Sequence, residues 1–95
     1  MAKILYVEDN LSLSFVTSDQ LKKRGYQVVS CEDGKEALYT FKEQIFDLCI
    51  LDVMLPQIDG FELAKKIRQE NKHIPIIFLS ARSMQCRFEQ LYSNY

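Results

Sequence analysis

The sequence predicts an α/β domain with a doubly wound parallel sheet, and three observations carry that expectation. Apolar runs at residues 4–7, 27–31, 48–51 and 74–79 alternate with segments of helical periodicity. The first, third and fourth runs are continuously apolar, as befits strands buried on both faces. The connections are short, and repeated strand–helix–strand units of this kind wind a parallel sheet with helices on both sides.

The first strand, Ile4-Leu5-Tyr6-Val7, closes on the acidic pair Glu8-Asp9. Asn10 can cap the first helix, whose inward stripe reads Leu13, Val16, Thr17 and Leu21. Gly25 stands where a helix C-terminus favours glycine. The second strand alternates more than the others and belongs at an edge. The second helix begins near Asp33 and turns Ala37, Leu38, Phe41 and Ile45 inward. Leu48-Cys49-Ile50-Leu51 then leads into Asp52. The third helix begins near Asp59-Gly60, with Leu63, Ala64 and Ile67 as its stripe and Lys65, Lys66 and Arg68 outside. Pro75 sits at the entry of the fourth strand, where a missing donor is tolerated.

Residues 83–95 are set apart as a divergent tail, with 1–82 as the domain proper. Met84, Phe88, Leu91 and Tyr95 fall at helical spacing, so a fourth amphipathic helix is expected and no fifth strand. A sheet ending on an apolar fourth strand leaves that edge uncovered. The tail helix, a second copy of the chain, or both are expected to cover it, which makes a homodimer a candidate assembly.

Ninety-five residues suit one domain, and 47% apolar with 26% charged residues suits a solvated globule. A net charge of -1 gives no electrostatic case for nucleic-acid binding. The clusters Lys22-Lys23-Arg24 and Lys65-Lys66 read as solvated helix faces. No stretch is long and apolar enough to span a bilayer, and Met1-Ala2-Lys3 runs straight into a strand with no room for a signal peptide. A cytoplasmic location is expected. Cys31, Cys49 and Cys86 lack metal or redox spacing, and the first two read as small core residues. His73 is a lone loop histidine and not an expected ligand.

The chemistry gathers at strand ends. Glu8, Asp9 and Asp52 would all stand at the carboxyl ends of neighbouring strands, where open α/β sheets build their sites. Three like charges that close raise one another's pKa unless a cation neutralises them. A set of carboxylates plus water suits Mg2+. Ser80 ends the fourth strand, where its hydroxyl could reach a group held on the neighbouring strand.

The segments Ile4-Leu5-Tyr6-Val7-Glu8-Asp9-Asn10, Leu51-Asp52-Val53-Met54-Leu55-Pro56-Gln57-Ile58-Asp59-Gly60 and Phe78-Leu79-Ser80-Ala81-Arg82 together resemble a bacterial response-regulator receiver domain. The wording is most similar to receivers attached to winged-helix transcription factors. The resemblance runs from about residue 2 to residue 82. It implies a flavodoxin-like receiver fold, lacking here the fifth strand and last helix. It further implies that Asp52 accepts a phosphoryl group from a sensor histidine kinase. Asp9, Asp52 and the Met54 backbone carbonyl would bind Mg2+, with Glu8 acting through water. Ser80 would be the switch hydroxyl, while Pro56 and Gly60 shape the loop over the site. A domain of this kind is a phosphoacceptor rather than an enzyme, and it regulates an output such as transcription.

One departure bears on that function. Receivers carry a lysine at the end of a fifth strand, and the last lysine here is Lys72, before the fourth strand. The alternative is therefore a phosphorylation-impaired receiver acting as an interaction module or a non-functional fragment. An aspartyl phosphatase of the haloacid-dehalogenase type would need an acid two residues after its nucleophile, where Met54 stands. A flavodoxin-like flavin carrier would need a phosphate loop where Glu8-Asp9 would repel phosphate.

Overall fold

The strands form one twisted sheet in a computed structural model that describes residues 2–55, 57–79 and 88–90. In chain order the elements are β1 (Lys3–Val7), α1 (Leu11–Lys23), β2 (Gln27–Cys31), α2 (Gly34–Glu43), β3 (Leu48–Asp52), α3 (Gly60–Glu70), β4 (Ile76–Leu79) and β5 (Phe88–Gln90). The sheet order is β2-β1-β3-β4-β5, with β2, β1, β3 and β4 parallel. The expected doubly wound parallel sheet is thus present, with β2 at its edge. The order reverses between β1 and β3, and a doubly wound sheet opens a crevice at the carboxyl ends of such a pair.

Side chains alternate across the sheet, so each strand feeds two cores. Leu5, Val7, Cys49, Leu51, Ile76 and Phe78 meet Ala37 and Phe41 of α2 and Leu63, Ala64 and Ile67 of α3. Ile4, Tyr6, Ile50 and Leu79 face the other way, with Leu21 of α1 packed against them. Each fully buried leucine or isoleucine contributes roughly 1.5–3 kcal/mol. Cys31 and Cys49 are buried, as expected of small core residues. Burial pushes the Cys49 thiol up to about 12, far from nucleophile range.

Each helix starts on a side-chain cap. Asn10 Oδ1 accepts from the Leu13 N–H at 3.0 Å, and Asp59 Oδ1 from the Glu62 N–H at 2.8 Å. Asp33 Oδ1 accepts from the Glu36 N–H, while Glu36 Oε1 takes the Glu32 N–H, both at 2.8 Å. Such caps are worth about 1 kcal/mol apiece. Gly25 follows the α1 cap with φ +97°, a left-handed turn that needs glycine.

Three details of the expected packing are corrected. On α1 the buried face carries Ser14 and Ser18, while Val16 is 56% exposed and Leu13, Thr17 and Leu21 are half-buried. Ser14 and Ser18 lie one turn apart, and Val16 is about 200° around the helix from either. The small serines allow close approach to the sheet, where the Ser18 and Ser30 hydroxyls hydrogen-bond at 2.8 Å. Ile45 is 88% exposed because α2 stops at Glu43 and the extended Gln44 breaks helical phase. Phe46 is buried instead, stacked on Phe41 at 6.1 Å. Arg68 is buried rather than outward, its guanidinium donating to the Ile74 carbonyl across the α3–β4 connection.

The tail also differs from its expected helix. Phe88–Gln90 run as a strand antiparallel to β4, with Leu79 opposite Phe88 and Ile77 opposite Gln90. An edge strand presents a row of unpaired donors and acceptors, and a backbone partner satisfies them better than an apolar helix face. The β4 edge expected to be open to a second copy is therefore paired within the chain. A parallel fifth strand and a last helix are not among the described elements. Met84, Leu91 and Tyr95, and most of the expected tail helix, lie outside the described residues. Among the described residues, no helix is long and apolar enough to cross a membrane.

Gly60 and Gly25 separate two reasons for glycine. A Cβ on Gly60 would collide with the Asp52 carbonyl oxygen and lie 2.9 Å from Val53 Cα, whereas one on Gly25 meets nothing within 4 Å. Gly60→Ala is expected to cost about 2 kcal/mol or more through backbone displacement. Gly25→Ala should cost about 1 kcal/mol through φ alone. Urea denaturation of the two variants checks the ranking; equal costs would contradict it.

Candidate functional site

Three carboxylates meet at the crevice because of strand register. Val7 pairs with Leu51, so Glu8 and Asp9, just past β1, land beside Asp52 at the end of β3. One oxygen from each of Glu8, Asp9 and Asp52 lies within 4.8 Å of the others. Glu8 is 1% exposed and Asp52 5%, while Asp9 is exposed. The Glu8 backbone N–H donates to the Cys31 carbonyl at 3.0 Å, which ties the turn after β1 to the end of β2.

The hydrogen bonds leave the cluster incomplete. Glu8 Oε2 accepts from the Asn10 N–H at 3.1 Å, and Asp52 Oδ1 accepts from the Met54 N–H at 3.2 Å. Glu8 Oε1 is buried with no hydrogen-bond partner. An orphan buried carboxylate oxygen is costly unless an ion or water satisfies it.

The electrostatics point the same way. Burial lifts the Glu8 carboxyl to about 7, with the Asp52 and Asp9 charges adding to the rise and the Asn10 N–H opposing it. Asp52 is also raised, chiefly by burial and against the Met54 N–H. A divalent cation would remove both causes by offering opposite charge and an inner coordination shell. An all-oxygen donor set with one exposed member, open to water, fits Mg2+.

The loop from β3 to α3 frames the crevice. Val53 donates to the Leu79 carbonyl at 3.3 Å, and the Gly60 N–H returns to the Val53 carbonyl at 2.9 Å. Gln57 holds φ +67°, a left-handed conformation that non-glycine residues adopt only where the surroundings impose it. Met54 lies on the open side, 54% exposed. Gly60 is where the sequence placed it, and its missing side chain is what lets α3 start against the Asp52 backbone.

Pro56 and Ser80 lie outside the described residues. Lys72 is exposed in the turn before β4, at the opposite end of the sheet from Asp52. Two contributors escaped the sequence reading. Asn10 serves the site through its backbone N–H, which no side-chain motif announces. Gly34, in the first turn of α2, lies against Ile58 of the site loop; the Asp33-Gly34 pair at a helix start was its only trace.

Comparison with known proteins agrees with this geometry. A family model described as "Response regulator receiver domain" matches residues 4–93, past Arg82 where the motif resemblance stops. The chain is 39% identical over 83 residues to the transcriptional regulatory protein RprY of Bacteroides fragilis, covering 87% of this chain and 35% of RprY. It is 41% identical over 80 residues to the alkaline phosphatase synthesis transcriptional regulatory protein PhoP of Bacillus subtilis, covering 84% and 33%. The chain thus spans about a third of the length of these curated relatives. Among solved structures, the response regulator TrrA of Thermotoga maritima, in complex with Mg2+-BeF, superposes with a TM-score of 0.83 at 38% identity, covering 88% of this chain and 73% of that one. A structure of the histidine kinase ThkA in complex with TrrA matches with a TM-score of 0.81 at 38% identity, covering 85% and 70%. Fold, crevice and matches along nearly the whole chain agree, and the chain belongs to the response regulator receiver domain family.

Proposed function

We propose that Asp52 accepts a phosphoryl group from a phosphohistidine of a sensor kinase, with Mg2+ at the three-carboxylate crevice. The observation that carries this reading is the buried, unpartnered Glu8 Oε1 within a carboxylate cluster that includes Asp52. An Asp52 carboxylate oxygen attacks phosphorus, the P–N bond breaks, and its electron pair returns to the imidazole nitrogen. The product is an acyl phosphate on Asp52. Asp9, Asp52 and the Met54 carbonyl would hold the ion, with Glu8 reaching it through water. Bound there, Mg2+ neutralises charge on the carboxylates and the phosphoryl oxygens. The Met54 N–H steadies Asp52 Oδ1, and the burial of Asp52 limits competing water. Ser80 is assigned the switch hydroxyl, and Pro56 with Gly60 the shaping of the loop.

The kinase partner is supported by TrrA, a similar protein seen in complex with the histidine kinase ThkA. A transcriptional output is supported by relatives named as transcriptional regulators. A second reading, an interaction module with impaired phosphotransfer, is favoured by one observation: β5 runs antiparallel to its neighbour. The division into 1–82 and a divergent tail at 83–95 belongs with that reading.

Incubation with a small phosphodonor and Mg2+, followed by intact mass, separates the two. Wild type is expected to gain one phosphoryl group and Asp52→Asn none. No gain in wild type would favour the inert module, and equal gain in both would remove Asp52 as acceptor.

The raised carboxyls also predict an unusual pH dependence. Glu8 rises from 4.5 in the free residue to about 7 in the folded chain, so the native state binds more protons between those values. Its contribution is fully present below pH 4.5 and is lost as pH rises through 7, an effect on the order of 3 kcal/mol. Without metal, Glu8→Gln is therefore expected to gain stability over wild type from pH 5 to pH 7.5. Mg2+, which competes with the proton, should narrow that gap near neutral pH and do little near pH 5. Thermal melts of both proteins with and without Mg2+ test this; a gap that does not change with pH would refute it.

A further inference from the structure

We propose that Gly34, at the start of α2, is a positioning residue for the metal-binding loop, acting through the seat it leaves for Ile58. The proposal rests on the Mg2+-dependent reading of the crevice. Gly34 is buried, and a Cβ added there would stand 3.1 Å from Ile58 Cβ and 3.5 Å from both Ile58 Cγ2 and the Ile58 carbonyl oxygen. Contacts near 3.1 Å are tighter than side chains ordinarily accept, so Ile58 would have to give way.

Nothing else at Gly34 asks for glycine. Its φ is not left-handed, it sits in the first turn of a helix already capped by Asp33, and alanine is the better helix former. The missing side chain therefore serves the contact. Ile58 in turn packs against the core that α2 and α3 share with the sheet, as do Val53, Leu55 and Phe61. It follows directly on Gln57, whose left-handed backbone needs support from its surroundings. The loop is thus held at two places. One is Gly60, through the Val53 carbonyl; the other is Ile58, through Gly34. Between Val53 and Ile58 lies Met54, joined to Asp52 Oδ1 by its N–H and proposed to face the ion with its carbonyl.

Displacing Ile58 by a few tenths of an ångström is therefore transmitted along the loop to the Met54 peptide. The effect falls on ion binding rather than on folding, because alanine at position 34 favours α2. Calorimetric Mg2+ titrations and thermal melts of the full chain test this on wild type, Gly34→Ala, Ile58→Gly and the double variant, because only glycine at position 58 removes the Cβ that the new side chain would meet. Gly34→Ala is expected to bind Mg2+ about fivefold more weakly, with an unchanged or higher melting temperature. The double variant should bind no more weakly than Ile58→Gly alone, since both act through one contact. Two results would overturn the positioning role while wild type binds Mg2+: unchanged affinity in Gly34→Ala, or losses of affinity that add in the double variant. Absence of Mg2+ binding in wild type would instead overturn the metal reading, and this inference with it.

Discussion

The parallel pairing of β1 with β3 is the constraint on which the rest of the structure depends. Its register sets Val7 opposite Leu51, and one residue further along three carboxylates converge. A slip of one residue would turn the apolar side chains of β1 to the wrong faces and carry Glu8 away from Asp52. The cores on the two sides of the sheet thus fix the site as well as the fold. Leu5 and Leu51 on one face and Ile4, Tyr6 and Ile50 on the other, all buried, hold that register against like-charge repulsion.

The repulsion itself is informative. Desolvation and neighbouring charge raise both Glu8 and Asp52, and Glu8 Oε1 finds no hydrogen-bond partner. A sheet selected for stability alone would place amides or hydroxyls at these strand ends. An ion bound among these carboxylates would offset that repulsion and stabilise the fold by the free energy of its binding. The loop over the site shares this character. It carries a left-handed Gln57 and two glycine contacts, Gly34 with Ile58 and Gly60 with the Asp52 backbone, and each leaves little freedom of adjustment.

Much of this was legible in the residues. Strand-length apolar runs, the caps Asn10, Asp33 and Asp59, and Gly25 past the first helix are local signals, and local backbone chemistry obeys them. The carboxylate trio was legible too, because residues closing buried strands of a parallel sheet must share one edge. The misreadings have a common physical cause. Val16, Ile45 and Arg68 were assigned by periodicity, but which face of a helix is buried depends on what the sheet offers it. Ser18 meets a hydroxyl on Ser30, and Arg68 meets the Ile74 carbonyl, partners distant in sequence or across a turn. Phe88 was counted in a helical stripe, yet the open edge of β4 supplies a backbone partner that a single-segment pattern cannot register.

By itself, the sequence determined the α/β class, the strand and helix starts, and the meeting of Glu8, Asp9 and Asp52 at one edge of the sheet. These follow from hydrophobic period, capping and the position of charge at strand ends, all of which act over a few residues. Only the tertiary structure decided the rotation of α1, the burial of Arg68, the antiparallel β5 and the seating of Ile58 on Gly34. Each of these turns on a contact between elements, where close packing and the need to satisfy every buried polar group select one arrangement from several that local propensity allows.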